Sequence, residues 1–213
     1  MKWMAVKLLR VVVPLVGIVA VGLYAATAHA GYGGYFEGEF SSSEINDHGR
    51  DRGFDAAMWG IGFMYDGNVV ADKLLNYRLE VGYRVGEREF DLDKLSDETV
   101  NGFTIDQTLG MGFFRTPMLR AFAGPSVRLN FDWYSSAGDV DIVDVAIGLG
   151  PRVGLNLHLT DTLSVTGSVA YHYMYLSENL ESKGLNTTVD GPQHIVGFRI
   201  GILWRAEGDV WDD

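Results

Sequence analysis

The 213-residue sequence contains no cysteine, which excludes disulfides, thiolate catalysis, thiolate metal sites and a lipoprotein anchor. Lysine is scarce beyond the first ten residues, where only Lys73, Lys94 and Lys183 occur. No apolar run after residue 30 approaches the ~20 residues of a transmembrane helix. No long segment carries the helical period either. If that part of the chain enters a bilayer, it must do so as a closed barrel, because lipid leaves no partner for an open backbone.

The one long apolar run lies at the start, in MKWMAVKLLRVVVPLVGIVAVGLYAATAHA. Lys2, Lys7 and Arg10 precede it, and Ala28-His29-Ala30 closes it with small residues at −3 and −1. These features predict a secretory signal peptide over residues 1–30, cut after Ala30. Removing its three cations moves the formal charge from −11 to about −14 for residues 31–213. So acidic a chain is poorly suited to nucleic acid, whose phosphates need surface cations.

What the remainder has is alternation. In NYRLEVGYRVGE, Tyr77, Leu79, Val81, Tyr83 and Val85 take one parity and Asn76, Arg78, Glu80, Gly82, Arg84 and Gly86 the other. A period of two is a strand with unlike faces. The same reading gives eight strands, at about 32–42, 54–66, 74–87, 99–114, 119–134, 140–157, 162–176 and 192–205. Between them, 43–53, 88–98, 135–139 and 177–191 read as longer, mostly charged loops. Asp66-Gly67-Asn68, Thr116-Pro117 and His158–Asp161 mark shorter turns. The expected fold is all-β, an eight-stranded antiparallel up-and-down transmembrane β-barrel over residues 31–205. A short acidic tail, 206–213, follows it.

Which face is inside follows from the polar parity. Its cations are Arg78, Arg84, Arg120, Arg128, Arg152 and Arg199, and none is lysine. Its acids include Glu37, Glu39, Glu80, Asp106, Asp132 and Asp144. A water-facing sheet would carry lysine freely, whereas arginine suits enclosed pairs because its planar fork grips a carboxylate with two bonds. Glycines such as Gly60, Gly62, Gly82, Gly102 and Gly154 share this parity and leave room in a narrow lumen. The other parity is bulky and ends in aromatics: Trp59, Tyr65, Tyr77, Phe113 and Trp204 towards the turns, Phe131, Trp133, Tyr173 and Tyr175 towards the loops. Aromatic girdles around an aliphatic band suit a wall that faces lipid. A soluble lipocalin-like barrel would turn the apolar face inward and leave an exterior rich in glycine and nearly free of lysine.

With its signal peptide, eight alternating strands, acidic loops and the late strand Gly197-Phe198-Arg199-Ile200-Gly201-Ile202-Leu203-Trp204, the chain resembles the small outer-membrane β-barrels of the OmpA/OmpX type. The resemblance spans nearly all of residues 31–213 and is one of architecture. It implies a monomer in the outer membrane, with periplasmic termini, outward loops and contacts to lipid and lipopolysaccharide. It also implies handling by the barrel-assembly machinery, which commonly reads a terminal aromatic residue. Here Ala206–Asp213 follow Trp204, and Trp211 is the tail's own aromatic.

No catalytic, metal or cofactor site is expected. Lipid A deacylase barrels use a His with a Ser two residues on, whereas His172-Tyr173-Met174 has no hydroxyl there to attack an ester. Asp91, Asp93 and Asp97 in EREFDLDKLSDE have neither the central glycine nor the bidentate Glu of a calcium loop, since position 102 is Gly. The acidic loops could share divalent cations with lipopolysaccharide headgroups. Asn186-Thr187-Thr188 matches a glycosylation sequon and carries little information in a bacterial envelope protein. The expected role is therefore non-enzymatic: envelope integrity or surface interaction by a barrel with an ion-paired plug, its loop partner unspecified. A narrow channel lined by Arg78, Arg84, Arg120 and Arg152 is the alternative, and a lipid-modifying enzyme the third.

Overall fold

The computed structural model describes residues 30–47, 50–67, 74–90, 98–136, 140–182 and 185–205. The expected signal peptide (save Ala30), the tail 206–213 and the acidic stretch 91–97 lie outside the described residues.

Eight strands form one closed antiparallel barrel in chain order. They are β1 (Gly31–Asp47), β2 (Arg50–Gly67), β3 (Leu75–Phe90), β4 (Glu98–Arg115), β5 (Leu119–Ser136), β6 (Val140–His158), β7 (Leu163–Ser182) and β8 (Leu185–Arg205). The pairing of β1 with β8, from Gly31↔Arg205 to Ser43↔Gln193, closes the ring. From Glu37 the pairing passes to Gly60, Arg84, Gly102, Asp132, Asp144, Glu178 and Val189. Val189 stands ten positions before Arg199, which is Glu37's own partner on β8. That offset tilts the strands and fixes a lumen wide enough for side chains alone.

β3 shows which way the faces point. Val81, Tyr83 and Val85 are exposed on the outside while Asn76, Arg78, Glu80 and Arg84 are buried. Among the described residues, outward-facing charges such as Glu44, Asp55, Glu87, Glu89 and Asp190 appear near the loop ends of their strands, and Arg115 near the turn end. Between them the wall is apolar, as a surface in hydrocarbon must be. The outward aromatics associate: Phe36 stacks on Trp59 at 5.7 Å, and Phe103 lies 5.5 Å from Trp133. Trp59 pairs beside Glu37 and Gly60 at mid-strand, so it belongs to the middle of the wall rather than to the turn-end girdle. Tyr65 is buried among Ala30, Tyr77 and Leu79 rather than exposed.

Three local features depart from plain alternation. First, the strands run further than the sequence pattern suggests. β1 and β2 pair as far as Asp47↔Arg50, and β7 and β8 as far as Ser182↔Leu185, so most of 43–53 and 177–191 is hairpin rather than loop. Polar residues on both faces hide a strand from a hydrophobic pattern, although cross-strand pairing still forms it. Second, a bulge between Gly112 and Phe114 shifts the β4–β5 register. It turns both Phe113 and Phe114 outward, where they are 64% and 49% exposed. Third, Pro125 and Pro151 face each other across β5 and β6 in mid-wall. The β4–β5 ladder passes from Thr108↔Ser126 to Met111↔Ala123, and the β6–β7 ladder from Leu149↔Tyr173 to Arg152↔Ala170. Proline lacks the N–H a ladder needs, so each interrupts the pairing on its outer side.

Candidate functional site in the barrel lumen

The interior parity brings charged residues from six strands into one connected set. At mid-height, Arg84 of β3 donates to Glu39 of β1 at 2.6 Å and to Asp132 of β5 at 2.5 Å and 3.1 Å. Arg128 of β5 donates to Glu37 at 2.6 Å, to Glu39, and to the Asn130 amide oxygen at 3.0 Å. Arg199 of β8 pairs with Glu37 at 3.0 Å, with Asp106 at 3.1 Å and with Glu80. Arg152 of β6 pairs with Asp106 at 2.6 Å and with Glu80. Every link shares a residue with the next, from Asp132 to Asp106, and none of these side chains exceeds 7% exposure. Arginine can hold two carboxylates at once, which is what lets four guanidiniums knit five acids together.

The twelve residues singled out in the sequence all face the lumen, but they do not form one cluster. Glu37, Glu39, Glu80, Arg84, Asp106, Arg128, Asp132, Arg152 and Arg199 form the central layer. Arg78 lies at the turn end, donating to Asp66 at 2.9 Å and 2.5 Å and to Asn156 at 2.9 Å, with its guanidinium 4.6 Å from the Phe122 ring. Arg120 is fully buried at that same end, beginning β5. Asp144 lies at the loop end, 2.7 Å from Arg88.

Asp66, Arg88 and Glu178 belong to the lumen as well. Arg88 lies over the Phe54 ring at 4.0 Å and donates to the Tyr134 hydroxyl at 2.8 Å; that hydroxyl donates on to Glu178 at 2.9 Å. The sequence reading gives Asp66 to a turn as the last residue of strand 54–66, and leaves Arg88 and Glu178 in loops. Asp66 shares the parity of Gly60 and Gly62, and carrying the parity one residue past 87 and two past 176 assigns Arg88 and Glu178.

Apolar residues pack the rest of the lumen. Tyr35, Met64 and Leu203 form one cluster; Met58, Val100, Tyr134 and Ile142 form another. Phe54, Ala146, Met174, Leu176, Val189 and Ile195 fill part of the loop end. Glycine makes room for aromatics here more than for arginine. A Cβ on Gly62 would lie 2.6 Å from the Tyr35 ring, whose face sits 5.1 Å from the Arg199 guanidinium.

Two histidines bear on chemistry. His172 is fully buried with Nε2 3.7 Å from Asp106, and Met174, at the next lumen-facing position, packs in the loop-end cluster. His158 Nδ1 meets the Ser164 hydroxyl at 2.8 Å. Its Nε2 has no hydrogen-bond partner among the described residues, and Asp66 is held by Arg78 and Asn76.

No protein-family model and no curated protein matches the sequence. Solved structures match the fold. The outer membrane protein OprG from Pseudomonas aeruginosa aligns at TM-score 0.61 and 14% identity over 86% of this chain and 98% of that one. The outer membrane protein AlkL aligns at 0.55 and 11% identity over 88% and 94%. The chain thus has the fold of the small eight-stranded outer-membrane β-barrels, and its apolar outer wall fits it to that membrane.

Proposed function

We propose that this protein is a non-enzymatic outer-membrane barrel with a sealed lumen that serves envelope integrity or surface interaction through its loop end. The observation that carries the reading is the unbroken chain of ion pairs from Asp132 to Asp106, reaching across the lumen between β1, β3, β4, β5, β6 and β8. Apolar clusters pack on either side of it. A conducting path needs water along its length, and this layer gives its charges to one another instead. Surface contact then falls to the rim, where Glu44, Asp55, Glu87, Glu89 and Asp190 are exposed. Carboxylates there can share divalent cations with the phosphates of lipopolysaccharide.

The test is single-channel recording of refolded residues 31–213 in a planar bilayer, beside Arg128→Ala. The expected result is insertion without current steps for the native chain and steps for the variant. Reproducible steps from the native chain would overturn the seal and favour a narrow channel. Lipid A recovered from cells making the protein is expected to keep its mass; a new acyl pattern would overturn the non-enzymatic reading.

A further inference from the structure

Three carboxylates share the loop end of the lumen with one guanidinium among the described side chains. Asp144 of β6 stands directly opposite Glu178 of β7, and Glu98 of β4 directly opposite Arg88 of β3. All four are at most 5% exposed. Opposed side chains of like charge repel, so Asp144 and Glu178 sit together at a cost. Arg88 reaches past its own neighbour Glu98 to Asp144 at 2.7 Å and to the Tyr134 hydroxyl at 2.8 Å, and that hydroxyl donates to Glu178. Asp132, opposite Asp144 on β5, is taken by Arg84. Glu98 is left with both carboxylate oxygens buried and no hydrogen-bond donor on either, and Asp144 Oδ1 has none as well.

A buried carboxylate oxygen without a donor is costly, and two such groups in one mouth point to a donor that arrives from outside. We propose that the loop end of the lumen binds a short aliphatic diamine or polyamine, with Glu98 and Asp144 each receiving an ammonium group. The spread of the acids decides the class of cation. A calcium ion needs its oxygens at about 2.3–2.6 Å, and no three of the described acids converge to hold a metal ion. Glu98 and Asp144 belong to β4 and β6, with β5 between them. Two ammonium groups joined by methylenes span such a pair, and each brings three N–H donors. The surroundings suit the methylenes, since Val100, Tyr134 and Ile142 pack there as one apolar cluster. The rings of Phe54 and Tyr134 already hold a cation, the Arg88 guanidinium, at 4.0 Å and 4.7 Å. This binding stands apart from the mid-height ion pairs and does not depend on their sealing the lumen.

Spermidine is the probe, titrated by calorimetry into refolded residues 31–213 in an uncharged detergent. Saturable binding is expected. Glu98→Gln should weaken it about tenfold, the effect of losing one charge-assisted contact. Asp161→Asn, which removes an exposed acid at the turn end, should leave it unchanged. No saturable binding, or a Glu98→Gln affinity equal to that of the native chain, would overturn the proposal. So would calcium binding with the same dependence on Glu98, because the site would then be a metal site. Should Glu98→Gln fail to fold, as judged by heat-modified mobility, methyl NMR of the native chain decides instead. Spermidine is expected to shift Val100 and Ile142; shifts confined to outward-facing residues would overturn the proposal.

Discussion

Arg128 of β5 donates to Glu37 of β1 at 2.6 Å, joining strands that stand opposite each other in the ring. The pair spans the lumen, so it acts as a strut as well as a seal. Arg128→Ala would take one of two arginines from each of Glu37 and Glu39, leaving them Arg199 and Arg84. The expected loss is about 3–5 kcal/mol of folding free energy, the usual cost of removing one partner from a buried ion pair. Urea-driven unfolding in lipid vesicles measures it. A loss below about 0.5 kcal/mol would mean that water reaches these acids.

The three tryptophans in the wall should report three depths. Trp59 lies beside the central layer, Trp133 near the loop end and Trp204 near the turn end. In chains retaining one tryptophan each, lipids brominated deep in the acyl chain should quench Trp59 most. Stronger quenching of Trp133 or Trp204 by the same lipid would displace the membrane band along the barrel.

Gly62→Val tests the packing beneath Arg199. Its Cβ would sit 2.6 Å from the Tyr35 ring and closer still to the Val81 carbonyl oxygen. Overpacking of this kind costs about 1–3 kcal/mol. Tyr35→Ala in the same chain should recover part of that loss. A single change at Gly62 without effect would show that both the ring and the β3 backbone at Val81 can shift freely.

Pro151→Val gives β6 back a backbone donor towards β7. One recovered hydrogen bond is expected to add about 0.5–1.5 kcal/mol. Hydrogen exchange followed residue by residue should find the new amide at position 151 protected. Rapid exchange at that amide would show that the gap is set by strand geometry rather than by the missing N–H.

The sequence by itself determined the eight strands, the inside and outside of each, and the enclosure of arginine with acid. Period-two alternation is a local property, and the near absence of lysine and the paired arginines told which face met lipid. Parity also placed Arg84, Arg128, Arg152 and Arg199 in the lumen. It could not say which acid each would meet, because those partners come from strands that pairing and tilt bring to the same height. Arg78 therefore went to Asp66, and Asp144 to Arg88, in layers of their own. Phe114 escaped the pattern because a bulge reverses parity, and Glu178 because its strand continues beyond the apolar signal. Closure of the ring, a long-range event, decided the network; alternation decided only who could join it.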